Sequence, residues 1–141
     1  MNYIDKFSLD GKVIAVVDDN APLLNAVRSF FEAYGARVLT YKTGHDFLKE
    51  MPIVDCSIVD FYMRFLDGLA FVSELRKRGY DTPVILFTGL RNEIPKNRLA
   101  ESSVREVVDK LSGYEELLRA VQDAVGTGRS ERQSGSNSGA I

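Results

Sequence analysis

A single cysteine, a single histidine and no tryptophan occur among 141 residues. One cysteine cannot close an intrachain disulfide, and Cys56 belongs to no C-x-x-C pair, so a disulfide-framed fold is excluded. Cys56 reads instead as a core residue of a strand. His45 has no second His or Cys cluster to join and reads as a surface residue at a helix start. No apolar run approaches the length that spans a bilayer, and the first residues, MNYIDKFSLDGK, lack the apolar stretch of a signal peptide. A cytoplasmic chain without a membrane span is expected. Positive charge is not in excess either. Eighteen basic against 20 acidic residues give a formal charge of -2 and a pI near 5.4, which excludes broad attraction to a nucleic-acid backbone. No G-x-G-x-x-G follows the first apolar run and no G-x-x-x-x-G-K-[ST] occurs anywhere, which removes the dinucleotide and P-loop readings.

Apolar residues, by contrast, are ample: 45% hydrophobic and 27% charged suit one folded domain over residues 1–125. Residues 126–141 (GTGRSERQSGSNSGAI) are rich in Gly and Ser and are expected to form a flexible tail, because they cannot bury enough surface to order themselves. Upstream, short β-branched runs alternate with helical patterns. Val13 to Val17 is apolar throughout, as a strand covered on both faces would be. Asn20 caps a helix with Pro22 in its first turn and apolar positions Leu23, Val27, Phe30, Phe31 and Tyr34. Arg37 to Tyr41 reads as a second strand, Thr43 with Asp46 as a capping box for a helix through Met51, and Ile53 to Asp60 as holding strand three. Gly68 to Arg78 reads as a helix with a basic last turn. Pro83 to Thr88 is strand four, Asn92 to Ala100 a short helix with Pro95 in its first turn, and Val104 to Val108 strand five. Ser112 and Glu115 read as a capping box for a last helix lined by Tyr114, Leu117, Leu118, Val121 and Val125. Five strand–helix pairs predict an α/β, doubly wound parallel sheet with helices on both faces. Ligands bind such sheets at the carboxyl ends of the strands.

Those ends carry Asp18 and Asp19 after strand one, Asp60 after strand three, Thr88 after strand four and Lys110 after strand five. Carboxylates about 5 Å apart repel by roughly 3 kcal/mol per pair at an effective dielectric near 20. A hard cation would relieve this, as would a proton on one of them, and with all-oxygen ligands Mg2+ fits best among cations. A carboxylate beside Mg2+, a hydroxyl and an ammonium make a phosphoryl-transfer site. Asp60 is the nucleophile candidate, while the adjacent Asp18 and Asp19 suit metal holding.

These residues resemble the receiver domain of two-component response regulators. Val16-Val17-Asp18-Asp19-Asn20 is similar to its acidic motif, Asp60-Phe61-Tyr62-Met63 with Gly68 to its phosphoacceptor segment, Phe87-Thr88-Gly89 to its switch segment, and Asp109-Lys110 to its lysine. The resemblance covers Lys12 to Val125 and is closest in texture to receivers of the nitrogen-fixation regulator type. It implies a flavodoxin-like (βα)5 sheet in the order 2-1-3-4-5. It implies that Asp60 accepts a phosphoryl group from a histidine kinase or histidine phosphotransfer protein. Asp19, Asp60 and the backbone carbonyl of Tyr62 would ligate Mg2+, with Asp18 acting through water, and Thr88 and Lys110 would contact phosphoryl oxygens. A downstream protein partner is expected rather than direct nucleic-acid binding, and the family leaves room for a homodimer through the face made by helices four and five. On this reading the chain is a signalling receiver, not an enzyme beyond its own phosphorylation and slow dephosphorylation.

The sequence departs from the family pattern at Arg64 and Leu111, where Pro is usual, at Ser103, where Gly is common, and at Val107, where a switch aromatic is usual. A cis bond before Leu111 would cost about 2.5–4 kcal/mol, so a trans bond is expected. Tyr62 and Leu90 flank the path of an attacking water without being able to orient it, which predicts slow self-hydrolysis. Two other readings stay open. A haloacid-dehalogenase-type phosphatase would want a second Asp where Tyr62 stands. A receiver-like module that binds partners independently of phosphorylation is favoured by Val107 and Leu111 and opposed by the complete set of acidic and Lys positions.

Overall fold

A computed structural model describes residues 8–127. Five strands, β1 (Val13–Val17), β2 (Arg37–Tyr41), β3 (Cys56–Val59), β4 (Val84–Thr88) and β5 (Glu106–Asp109), form one sheet in the order β2-β1-β3-β4-β5. All four pairings are parallel. The helices are α1 (Ala21–Glu32), α2 (Gly44–Glu50), α3 (Gly68–Lys77), α4 (Lys96–Glu101) and α5 (Tyr114–Gln122), with 3-10 turns at Arg91–Glu93 and Lys110–Ser112 and a π-helical turn at Asp123–Thr127. This is the expected flavodoxin-like order. Among the described residues no helix is long and apolar enough to cross a membrane.

The uninterrupted apolar strands follow from burial on both faces. Ile14 and Val16 of β1 join Cys56 and Ile58 of β3, Ile85 and Phe87 of β4 and Val108 of β5 in a core shared with α1 and α5. Ala15, Val17, Val59, Val84 and Leu86 face the other way, into a core with Phe47 of α2 and Phe71 and Leu75 of α3. Alternate residues thus serve opposite layers, as the strand period of two requires. Local caps set the helix starts. Asn20 Oδ1 accepts from the Leu23 N–H at 3.1 Å, Thr43 Oγ1 from the Asp46 N–H at 3.0 Å and Asp67 Oδ1 from the Ala70 N–H at 2.8 Å. Gly35 turns the chain after α1 at φ +97, and a Cβ there would lie 1.8 Å from Asp10 Oδ1.

Two local expectations are corrected. Ser112 does not cap α5, which starts after Gly113 without a side-chain cap. Asp109 intervenes, its Oδ1 accepting from the Leu111 N–H at 2.8 Å. That bond opens the Lys110–Ser112 turn, which hands over to α5 through Gly113 at φ +89, a conformation glycine adopts freely. The helix expected over Asn92 to Ala100 is split into the Arg91–Glu93 turn and α4. Pro95 pushes the preceding Ile94 into extended backbone, ψ 125, which ends the first turn, and α4 starts after the proline instead of around it.

The remaining differences are small. Strand five begins two residues later than read from the pattern, and Met51 is the left-handed C-cap of α2, not its last residue. No cis peptide bond occurs among the described residues, so Leu111 follows a trans bond. Of the tail placed at 126–141, residues 126 and 127 lie in the π-helical turn; residues 128–141 lie outside the described residues.

Candidate functional site

The register of β1 and β3 brings the first carboxylates together. Val17 pairs with Val59, so the next residue on each strand, Asp18 and Asp60, meet at the carboxyl edge of the sheet. The backbone continues the ladder there, with the Asp60 N–H donating to Val17 O at 3.0 Å and the Asp18 N–H to Tyr41 O at 3.0 Å. Carboxylate oxygens of Asp18, Asp19 and Asp60 all lie within 4.8 Å of one another. Asp18 and Asp60 are buried, whereas Asp19 is exposed. From β5, Lys110 Nζ reaches in to 2.9 Å from Asp18 Oδ2 and 3.5 Å from Asp60 Oδ2. Thr88, buried at the end of β4, presents its hydroxyl to Asp60.

Three carboxylates against one ammonium leave two negative charges in a partly desolvated cleft. Burial, then the charge of Asp18, raises the Asp60 pKa, while Lys110 and the Thr88 hydroxyl work against the rise. Burial also works to lower the Lys110 pKa, but its hydrogen bond to Asp18 and the charges of Asp18 and Asp60 outweigh that and leave it raised. Asp18 is further held by the Asn20 N–H, which donates to its Oδ1 at 2.9 Å. The direct Asp18–Lys110 bond, shorter than that to Asp60, joins residues 92 apart, and nothing in the local sequence signals it.

The donor set is all oxygen, and two of its three carboxylates are buried. That chemistry fits a hard divalent cation, Mg2+ in particular. Tyr62, the fourth metal-site candidate, lies in the loop after β3. Its side chain is exposed, stacks edge-on against Phe61 with centroids 4.8 Å apart, and donates from its hydroxyl to Glu93 at 3.1 Å. In the same loop Phe65 adopts φ +71, and the Leu66 N–H bonds the Arg64 carbonyl at 2.7 Å, closing a three-residue γ-turn. Gly68, the first residue of α3, packs so closely under the site that a Cβ would lie 2.6 Å from the Asp60 carbonyl oxygen.

Residues 14–122 match the family model of the response regulator receiver domain. The chain belongs to that family. Among similar proteins, nodulation protein W of Bradyrhizobium diazoefficiens is 26% identical over 124 residues, covering 86% of this chain and 54% of that protein. The heme response regulator HssR of Staphylococcus haemolyticus is 30% identical over 109 residues, covering 76% and 48%. This receiver chain therefore spans about half the length of those relatives. Among solved structures, the response regulator TrrA of Thermotoga maritima, in complex with Mg2+-BeF, has a TM-score of 0.73 at 26% identity, covering 80% of this chain and 98% of that one. Receiver domains of this family bind Mg2+ at an acidic site, and in this chain Asp18, Asp19 and Asp60 form an acidic cluster at the sheet edge that could hold a metal ion.

Proposed function

We propose that Asp60 takes a phosphoryl group from a phosphohistidine on a histidine kinase or histidine phosphotransfer protein, and that this changes the contact of the chain with a downstream protein. The observation that carries the reading is the meeting of Asp60 with Asp18, Asp19 and Lys110 at the carboxyl edge of the sheet. The reacting form of Asp60 is the carboxylate, which Lys110 and Thr88 favour against burial and the charge of Asp18. Its oxygen attacks phosphorus in line as the P–N bond breaks, and the electron pair of that bond stays on the departing imidazole. Lys110, already 3.5 Å from Asp60, is placed to pair with a phosphoryl oxygen, and the Thr88 hydroxyl to donate to another. Asp19, Asp60 and the carbonyl of Tyr62 would hold Mg2+, with Asp18 acting through water. When bound, Mg2+ supplies charge neutralisation on the transferring oxygens. Tyr62 and Leu90 bring no carboxylate or amide to orient a water, so loss of the phosphoryl group is slow. The reading places the chain in the cytoplasm.

Incubation with acetyl phosphate and Mg2+ followed by intact-mass measurement tests this. A single phosphoryl adduct, absent in EDTA and in Asp60→Asn, is expected. A second reading, a binding module independent of phosphorylation, is favoured by the 90% exposure of Leu111 immediately after Lys110. Mg2+ binding with no adduct, from either acetyl phosphate or a phosphohistidine donor, would select it.

A further inference from the structure

Two side-chain pairs tie the loop that follows Asp60 to the segment that follows Thr88. The Tyr62 hydroxyl donates to Glu93 Oε1 at 3.1 Å. Arg98 of α4 donates from Nη1 to Asp67 Oδ2 and from Nη2 to Asp67 Oδ1, both at 3.0 Å. Tyr62 and Asp67 stand near the two ends of the 61–67 loop, so the loop is held at both. The guanidinium fork fixes direction as well as distance, which one hydrogen bond does not.

Asp67 also caps α3 through the Ala70 N–H. The next residue, Gly68, donates its N–H to the Phe61 carbonyl at 2.7 Å and leaves no room for a Cβ against the Asp60 carbonyl. A continuous path thus runs from the Asp60 backbone through Gly68 and Asp67 to Arg98. At its far end, α4 has no fully buried residue. A helix with so little buried surface is drawn from the least stable part of a fold, and its position depends on the contacts that pin it. Val107 of β5, which lines a cleft with Leu99 of α4, is partly buried and carries no ring or polar group with which to relay a change.

We propose that the Asp67–Arg98 and Tyr62–Glu93 pairs are a latch that couples the state of Asp60 to the position of α4. The inference rests on Asp60 being the phosphoacceptor. A phosphoryl group on Asp60 must be accommodated by the loop that packs against it, and displacement of that loop carries Glu93 and Arg98 along. Because coupling is reciprocal, a protein that pulls on α4 shifts the phosphorylation equilibrium at Asp60 in turn.

The test is hydrogen exchange by mass spectrometry on the full chain, with and without Mg2+ and beryllofluoride as phosphoryl mimic. Wild type is compared with Arg98→Lys and with the double variant Glu93→Ala, Arg98→Ala, whose substituted residues lie outside the carboxylate cluster. In wild type, loading is expected to change exchange in both 61–70 and 91–101. The double variant keeps the first response and loses the second, and Arg98→Lys, which keeps the charge without the fork, gives a reduced second response. A second response that persists in full in the double variant, or that is missing from wild type while 61–70 responds, overturns the latch. If neither segment responds and acetyl phosphate leaves no adduct, the phosphoacceptor reading itself has failed and the latch falls with it.

Discussion

Replacing Lys110 by Met keeps the aliphatic stem and removes the ammonium that stands 2.9 Å from Asp18 and 3.5 Å from Asp60. Those two carboxylates, with side chains only 3% and 10% exposed, are then left without an internal cation. With oxygens within 4.8 Å of one another, their repulsion is about 3.5 kcal/mol at an effective dielectric near 20. Two effects reduce the net loss. Solvent reaches a quarter of the Lys110 side chain (25% exposed), and Asp60, raised by burial and by Asp18, can take up a proton. The expected destabilisation at neutral pH is therefore about 2–4 kcal/mol, somewhat below the roughly 3–5 kcal/mol that removing one member of a fully buried pair costs. A carboxyl with a raised folded pKa is least favourable when ionised, so the loss shrinks as pH falls through that value. Bound Mg2+ relieves the same repulsion, adding about 2.7 kcal/mol at a hundredfold excess over its Kd. The variant should bind Mg2+ more tightly than wild type, since no ammonium competes for the same carboxylates. Urea unfolding followed by far-UV circular dichroism, in EDTA and in Mg2+, suits a chain without tryptophan. A variant as stable as wild type in EDTA, or one that gains no more from Mg2+ than wild type, would show that Lys110 does not neutralise the cluster.

Gly68→Ala should destabilise by about 1–2 kcal/mol in urea, because overpacking against backbone costs about 1–3 kcal/mol and alanine's helix propensity returns less than that; an unchanged midpoint would contradict the close approach to Asp60. Phe65→Gly should leave stability unchanged or raise it by up to about 1 kcal/mol despite removing an aromatic ring, since relief of a left-handed φ outweighs the added unfolded-state freedom. A clear loss of stability would mean that the ring, 84% exposed, packs in solution. Burial alone would raise the Asp67 pKa, but the Arg98 hydrogen bond and the Ala70 N–H lower it overall. Its contribution to stability is thus complete above the unfolded value and is lost as pH falls through the folded one. Arg98→Ala should flatten the acid-side decline of the urea midpoint below about pH 5, and parallel curves for variant and wild type would count against the pair. If Tyr62 and Leu90 slow hydrolysis by failing to orient water, Tyr62→Asn with Leu90→Glu should shorten the half-life of the phosphoryl adduct, and a longer half-life would refute this.

Much of the fold was legible because both faces of the sheet are covered. Runs such as Val13–Val17 and residues 84–87 are apolar without alternation, as a strand between two layers requires. The polar residues that interrupt them, Asp18 and Thr88, therefore mark strand ends. Helix starts were legible where one side chain does the capping, at Asn20 and Thr43. Reading was less secure where two local signals competed. Ser112 and Glu115 carry a capping-box spacing, yet Asp109 opens a turn first, and Pro95 breaks in two what periodicity joins.

The alternation of strands and helices, the two-faced burial and the placing of Asp18, Asp19, Asp60, Thr88 and Lys110 at strand ends were determined by the sequence alone. They depend on residue type and local spacing, which a linear chain displays. The bond of Lys110 to Asp18, the Arg98 fork on Asp67, the Tyr62–Glu93 bond and the contact of Gly68 with Asp60 were decided only by the tertiary structure. The three side-chain bonds span 92, 31 and 31 positions, and groups so far apart along the chain come within hydrogen-bonding distance only when strand register and helix packing fix where each side chain ends.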